Sequence, residues 1–586
     1  MSQAFRDLVE LFERSVEAHR ERPLLGSKVD GAWHWTTYGE LAETVDALRA
    51  SLAGLGVGPG DRVAMIADNR IEWAVACYAT YGLGASFVPM YEAQHAEEWH
   101  FILDDCSAKV VFVANAEIAA GVEEGRGGLP ALSHIVRLDG APGDPGSYAG
   151  LVDAGHSCAV PSRRPGSDAL AGLIYTSGTT GMPKGVMLSH GNITSNINAV
   201  LEIFRFSTDD RSLAFLPWAH SFGQVCELHG LLAMGSQIAI NDDVAHLLAN
   251  LSEVKPTILY AVPRIFNRLY AGVKDQIDQR PAMIQTLVKN GLAAAQRKSR
   301  GERLGILEQL TLTLADTLAF GKIRERFGGR LKYAISGSAA LDPEVASFID
   351  ALGIMVYEGY GLTETSPIVS ANFPGHRKIG SVGRAIPGVT VTIDESVGDE
   401  PGRGEILVKG PNVMQGYHNR PEENAQVLLP DGTFRTGDLG YLDADGYLYV
   451  TGRIKEQYKL ENGKYVVPSP IEEKVKLSRF VANVLVHGAN KPHNVALIVP
   501  QREVLEAWAR NEGIPLGELS VHPRTQELIR VEIDTCCREL KGYERIKSFA
   551  LVDEDFTTDN GMLTPTLKLK RRVVLARYGS ILDELY

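Results

Sequence analysis

Long apolar runs are missing from this chain of 586 residues. No stretch approaches the about 18 consecutive apolar residues that a membrane span needs, so no transmembrane segment is expected. Cysteine is scarce. The six residues Cys77, Cys106, Cys158, Cys226, Cys536 and Cys537 form no Cys-x-x-Cys pair and no His/Cys cluster with zinc spacing. Scattered thiols fit a reducing compartment and give no disulfide framework. Positive charge is in deficit, with 59 Lys and Arg against 72 Asp and Glu and a net charge of −13. That balance argues against a general nucleic-acid binder, which needs a basic face. It still allows an anionic ligand in a locally positive pocket. The N-terminal stretch is charged and amphipathic, without the apolar core of a signal peptide. These absences predict a cytoplasmic protein, with peripheral contact at a membrane surface left open.

What is present is an ordinary globular composition, 45% apolar and 22% charged. The length exceeds what one hydrophobic core serves, so at least two domains are expected. Helical periodicity marks residues 8–19. Short apolar runs at 61–67, 85–89, 109–113, 169–175, 211–215, 236–240, 257–261 and 331–335 alternate with helical stretches. That alternation predicts parallel sheet in layered α/β subdomains. Residues 280–326 read as a charge-rich helical excursion facing solvent, with no identifiable site. After residue 380 the pattern changes to short strands with glycine turns, at 388–394, 404–409 and 446–450, predicting a β-rich subdomain. Strands at 481–487 and 494–499 then belong to a small C-terminal α/β unit. The boundary is placed at residues 452–455, giving domains 1–452 and 453–586.

The most informative stretch is Tyr175-Thr176-Ser177-Gly178-Thr179-Thr180-Gly181-Met182-Pro183-Lys184-Gly185-Val186, which follows an apolar strand. Glycines let the backbone approach an anion and turn successive N–H groups toward it. Ser and Thr hydroxyls add donors, and Lys184 adds a point charge. The loop is suited to polyphosphate, although its spacing is not that of Walker A. Further signals follow in order. Ser336-Gly337-Ser338-Ala339-Ala340-Leu341 offers small residues against which a flat base can lie. Tyr357-Glu358-Gly359-Tyr360-Gly361-Leu362-Thr363-Glu364 places an aromatic ring, a hydroxyl and a carboxylate within five residues. Then come Thr436-Gly437-Asp438, Gly452-Arg453, and Thr564-Pro565-Thr566-Leu567-Lys568-Leu569-Lys570-Arg571-Arg572.

This order resembles the adenylate-forming superfamily of acyl-CoA synthetases, carrier-loading adenylation domains and firefly-type luciferases. The stretches Leu216-Pro217-Trp218-Ala219-His220-Ser221-Phe222-Gly223-Gln224 and Lys459-Leu460-Glu461-Asn462-Gly463-Lys464-Tyr465-Val466-Val467-Pro468 make it most similar to long-chain fatty-acyl-CoA synthetases. So does the run from Asn560 to Lys568. The resemblance implies a large N-terminal adenylation domain and a small mobile C-terminal domain. It also implies ATP and Mg²⁺ as cofactors and coenzyme A as co-substrate. The implied reaction makes an acyl-adenylate from a fatty acid and ATP, then a thioester with coenzyme A, releasing pyrophosphate and AMP.

Residue roles come by the same resemblance. Thr176, Ser177, Gly178, Thr179, Thr180, Gly181 and Lys184 would hold the β- and γ-phosphates. Thr363 would donate to the α-phosphate and Glu364 would hold Mg²⁺. Tyr360 and the backbone of Gly337, Ser338 and Ala339 would sandwich adenine, within a nucleotide site that includes Glu358, Gly359 and Gly361. Asp438 would accept from the ribose hydroxyls, with Arg453 beside it. Lys568 would reach the carboxylate and α-phosphate, with Lys570 as the alternative. The hinge would fall within 453–455, at Lys455 by choice, about which the C-terminal domain turns to bring the face carrying Lys459 and Tyr465 to the site, with Lys464 as the alternative to Tyr465. His220 would gate the acyl or thiol channel. Trp218, Val262, Ser336 and Gly359 are further candidates for the pocket mouth. The basic run Lys570-Arg571-Arg572 is either a solvated face or a contact for a coenzyme A phosphate. The alternatives to a coenzyme A ligase are an acyl-AMP ligase that loads a carrier protein and a ligase for another hydrophobic acid. No insertion between Gly404 and Arg453 blocks the domain rotation, which favours the coenzyme A ligase.

Overall fold

The computed structural model describes residues 4–176, 182–398 and 400–586. Among these, strands assemble into sheets of nine, seven, four, three and two. The seven-stranded sheet is built around Val110–Val113, Arg62–Ile66 and Ser86–Met90, which pair in parallel. Val110, Val111, Phe112 and Val113 are all buried. That unbroken apolar run is what a strand covered on both faces requires. Leu170–Thr176 continues the parallel order, and the antiparallel Lys184–Ser189 follows it. The nine-stranded sheet has a parallel centre of Val356–Gly361, Tyr333–Ser336, Ile258–Ala261, Arg211–Ala214 and Gln237–Ile240. One core runs through both sheets and the helix Leu8–His19, whose N-terminus is capped by the Asp7 carboxylate accepting from the Glu10 amide at 2.7 Å.

The change of pattern after residue 380 corresponds to the four-stranded antiparallel sheet Thr390–Asp394, Gly404–Lys409, Phe434–Leu442 and Leu448–Arg453. The final hairpin of that sheet ends at Arg453, and the turn Ile454–Glu456 leads to the C-terminal region. There Val481–His487, Asn494–Pro500 and Ile546–Leu551 make a three-stranded sheet with its own core. Most of the alternating elements match the sequence reading to within two residues. Among the elements not anticipated, three bear on the site and its sheets. The hairpin Pro23–Val29 and Ala32–Thr37 extends the nine-stranded sheet at its edge. Lys184–Ser189 lies within the polar motif. Phe222–His229 is a π-helical turn, a rare form that concentrates near functional sites.

Candidate active site

The predicted residues collect where several parallel strands of the nine-stranded sheet end, the place where α/β sheets open a crevice. Tyr333–Ser336 delivers Gly337, Ser338 and Ala339, Arg211–Ala214 delivers the loop to His220, and Val356–Gly361 carries Glu358, Gly359 and Tyr360. A Cβ on Gly337 would stand 3.2 Å from the Phe222 ring, so the two loops meet at a contact only glycine permits without displacement. Gly361 lies so close to the Pro367 carbonyl that a side chain there would collide with it.

Asp438 is the centre of the cluster and is buried. Register places it opposite Arg453 across the hairpin, and Arg453 Nε stands 3.1 Å from Asp438 Oδ1. The Tyr360 hydroxyl donates to Asp438 Oδ2 at 2.7 Å. Thr436 Oγ1 accepts from the Asp438 amide at 3.0 Å and donates to the Ile406 carbonyl, fixing the turn. Burial raises the Asp438 carboxyl despite the attraction of Arg453, while the Asp438 charge raises the Arg453 guanidinium.

Thr363 and Glu364 sit on the helical turn Thr363–Thr365. The buried Thr363 hydroxyl is 3.3 Å from that of Ser221. Glu364 Oε1 accepts from the Tyr417 hydroxyl at 2.8 Å. Tyr417 lies on the short strand Gly416–Tyr417, paired with Lys184–Ser189, and its ring faces Lys184 with Nζ 5.3 Å from the centroid. Lys184 also approaches Glu423 at 3.5 Å. Tyr417 thus connects the end of the phosphate-type loop to the Thr363–Glu364 turn, and sequence reading missed it. The one local signal was the apolar run Val186-Met187-Leu188, which gives no sign of the strand it pairs with. Thr176 ends the strand Leu170–Thr176. Ser177, Gly178, Thr179, Thr180 and Gly181 lie outside the described residues.

Lys568 faces this cluster from the C-terminal region. Its side chain is exposed, and its ammonium is near enough to Arg453, Asp438, Glu364 and Glu456 for their charges to act on it. Desolvation and the nearby Arg453 lower its pKa, against the pull of Asp438, Glu364 and Glu456. Burial, with a smaller contribution from Lys568, pushes His220 down to about 3, so its imidazole is neutral at ordinary pH. His220 Nδ1 accepts from the Phe222 amide at 3.1 Å, which leaves Nε2 as its free edge. Asn69 holds this loop, accepting from the Trp218 amide at 2.7 Å and donating to the Leu216 carbonyl at 2.8 Å.

Other expected residues are placed differently. Lys570 is turned toward Glu98 at 3.6 Å. Arg571 is not a free cation, because it forms a bidentate pair with buried Glu472 at 2.8 and 2.7 Å. Glu358 is buried with its carboxyl against the backbone amides of Leu341 and Gly380, and burial raises its pKa to about 7. Lys455 is exposed on the turn Ile454–Glu456. Lys459 and Tyr465 pair across the small hairpin Tyr458–Lys459 and Tyr465–Val466, both exposed, with the ammonium 5.5 Å from the ring centroid. Trp218 is fully buried edge-on to Trp73. A tight apolar crevice of only about 10 Å³ lies beside the cluster, walled by Ile197, Val200, Val225, Cys226, Tyr260 and Ile368. Its walls do not include Trp218, Val262, Ser336 or Gly359. A wider solvent-open depression near Arg6, Arg164 and Asn192 holds none of the expected residues.

No described helix is long and apolar enough to cross a membrane. The model of the AMP-binding enzyme family matches residues 12–418, and that of the AMP-binding enzyme C-terminal domain matches 455–586. The chain is 32% identical to the peroxisomal long chain acyl-CoA synthetase 7 of Arabidopsis thaliana, over 98% of this chain and 85% of that protein. It is 33% identical to the long-chain-fatty-acid–CoA ligase FadD15 of Mycobacterium tuberculosis, over 95% and 93%. It is 32% identical to long-chain-fatty-acid–CoA ligase 1 of Homo sapiens, over 99% and 86%. In fold it matches the adenylation domain of a carboxylate reductase from Mycobacterium chelonae, with a TM-score of 0.81 at 24% identity over 99% of this chain and 91% of that one. The adenylation domain of the Segniliparus rugosus carboxylic acid reductase, solved with AMP and a carboxylic acid, gives 0.79 at 23% over 100% and 95%. With both of its parts matched in sequence and in fold, the chain belongs to the AMP-binding enzyme family of the adenylate-forming superfamily and is most like the long-chain acyl-CoA synthetases.

Proposed function

We propose that the chain is an ATP-dependent fatty-acyl-CoA synthetase acting on a long-chain acid. The observation that carries the reading is the convergence of Lys568, from the C-terminal region, on the cleft holding Asp438, Arg453, Glu364 and His220. In the first step a carboxylate oxygen of the acid attacks the α-phosphorus of ATP, and the bond to pyrophosphate breaks. Two anions approach one another, so the site must present positive charge already oriented. Lys568 supplies it at the carboxylate and α-phosphate, and Lys184 at the outer phosphates. Thr363 donates to the α-phosphate, and Asp438 accepts from the ribose hydroxyls once Tyr360 and Arg453 have fixed its orientation.

Glu364 suits a hard cation that takes few protein oxygens and the rest from phosphates, since Tyr417 occupies only one of its carboxylate oxygens. Bound there, Mg²⁺ would neutralise charge on the phosphates. In the second step the sulfur of coenzyme A attacks the acyl carbon, the thiol proton leaves to solvent, and AMP departs. The domains for this cycle are 1–452 and 453–586, with Lys455 as pivot. The turn at Ile454–Glu456 and the separate C-terminal core support that division. The apolar crevice beside Tyr260 and Ile368 would have to widen to receive an acyl chain.

The test is a panel of free acids of increasing length, scored for pyrophosphate and AMP release with and without coenzyme A. A long-chain acid should give AMP and acyl-CoA only when coenzyme A is present. Pyrophosphate release with no thioester on adding coenzyme A overturns the coenzyme A assignment in favour of a carrier-loading ligase. No pyrophosphate with any acid overturns the whole reading.

A further inference from the structure

The helical excursion after residue 280 is left without a role by the chemistry above. Ala282–Ser299 packs against a second helical stretch formed by Ile306–Ala315, Asp316–Phe320 and Gly321–Arg326. The inward side of that second stretch is accounted for. Ala315 and Phe320 are buried, and Leu312, Ala319 and Ile323 pack against the same core. Gly291 on the partner helix lets Ala315 approach to a distance that any side chain at 291 would forbid.

The outward side is also apolar. Ile306 is 83% exposed, Leu307 79%, Leu310 56%, Leu314 54% and Leu318 50%. At 3.6 residues per turn they form one stripe, about 18 Å long at 1.5 Å per residue. Single exposed leucines need no explanation, but a contiguous stripe on one helix face does. Its charges are arranged to keep the stripe uncharged and its surroundings basic. Glu302 and Glu308 are taken up by Arg297, and Asp316 pairs with Arg324 at 2.7 Å, leaving Glu325 as the one acid of the segment without an ion pair among the described residues. Lys289, Lys298, Arg303 and Lys322 are exposed and have no acidic partner among the described residues. Residues 280–330 hold ten Lys and Arg against four Asp and Glu, in a chain whose net charge is −13.

We infer that the outward face of residues 306–326 is a docking surface for an anionic lipid bilayer. A leucine face on a segment with an excess of exposed, unpaired cations is the composition that lies in a membrane interface, where apolar burial and attraction to acidic headgroups add. A second copy of the chain is the poorer occupant. Two-fold pairing of this face would set the lysines and arginines of one copy against those of the other. The inference concerns a surface remote in sequence from Lys568, Asp438 and Glu364, and it stands or falls separately from the acyl-CoA assignment.

Flotation with vesicles tests it on the full chain. Wild type should bind phosphatidylcholine vesicles containing phosphatidylglycerol and should release them as salt rises. The pair Leu310→Ser with Leu314→Ser should lower binding about tenfold or more. Lys298→Glu with Arg303→Glu should lower it severalfold on the anionic vesicles. All these sites are exposed, so melting temperature and turnover of a soluble shorter-chain acid should match wild type. Lys568→Ala should bind vesicles as wild type does, even if it makes no adenylate. Wild type that fails to float, or leucine variants that float unchanged, would overturn the inference. So would leucine variants whose only effect is to turn a dimer into a monomer.

Discussion

Two lysines two residues apart in the C-terminal segment, Lys568 and Lys570, have opposite surroundings, and their substitution should separate them. Lys568 is held near Asp438 and Glu364, while Lys570 reaches Glu98 across partly exposed surface. Lys568→Ala should lower the rate of pyrophosphate release by about 10²–10³, the usual cost of removing one oriented charge from such a site. Lys570→Ala should stay within a few fold, because a partly exposed ion pair outside the cleft contributes little. If Lys570→Ala gave the larger loss, the assignment would be reversed. Tyr417→Phe is a finer probe. It leaves the ring over Lys184 and removes one hydrogen bond to Glu364, so adenylation should fall about tenfold at unchanged melting temperature. Glu364, Asp438 and Lys568 were legible because each sits in a motif of fixed order. Tyr417 was not, because its importance comes from a sheet pairing with residues more than 200 positions away. Arg571 misled for a related reason: a basic run gives no sign that one member is neutralised by Glu472.

The π-helical turn Phe222–His229 starts two residues after His220, and its own buried carboxyl is unusual. Glu227 is 1% exposed, and neither of its oxygens has a hydrogen-bond partner among the described residues. Burial raises its pKa from 4.5 to about 8, with the Ser212 hydroxyl and Trp218 indole beside it outside hydrogen-bond geometry. A carboxyl that prefers the neutral form when folded binds a proton that the unfolded chain gives up. Its contribution is therefore fully present below about pH 4.5 and is lost as pH rises toward 8. Glu227→Gln keeps a neutral group of the same shape. The wild type should accordingly lose more melting temperature than Glu227→Gln between pH 5.5 and 8, by a few degrees. Parallel slopes for the two proteins would show that the Glu227 carboxyl is already ionised. Strands and ordinary helices could be read from periodicity, since burial on both faces leaves unbroken runs such as Val110–Val113. The π-turn could not. Its apolar spacing differs from that of an α-helix by too little over eight residues, and its buried glutamate reads locally as a surface residue.

Across the whole molecule, the C-terminal region is fastened in place by contacts that a rotation must break. Lys474 meets Asp342 at 3.2 Å, Arg479 meets Asp275 at 2.8 Å and Lys570 meets Glu98 at 3.6 Å. In this arrangement Lys568 faces the cleft, while Lys459 and Tyr465 are exposed on their hairpin. Partly exposed ion pairs of this kind are worth about 0–1 kcal/mol each, weak enough for two arrangements to exchange. The division into two parts was visible in the sequence at the change from glycine-punctuated strands to the charged stretch after Gly452. Which face of the second part meets the first was not, because it depends on pairs as distant as Asp342 and Lys474. The pivot supplies the test. Lys455 is the middle residue of the turn Ile454–Glu456, and a proline there fixes one backbone torsion near −65°, a value that suits the turn as it stands. Proline is tolerated in the first turn of a helix, so the fold and the cleft should survive. Lys455→Pro should release pyrophosphate in a single turnover at close to the wild-type rate. Transfer of the acyl group to coenzyme A should then slow by at least about 10²-fold, so that acyl-adenylate accumulates and can be trapped with hydroxylamine. If thioester formation kept pace with the wild type, both half-reactions would be running in one arrangement of the two parts, and rotation about residue 455 would have no place in the cycle.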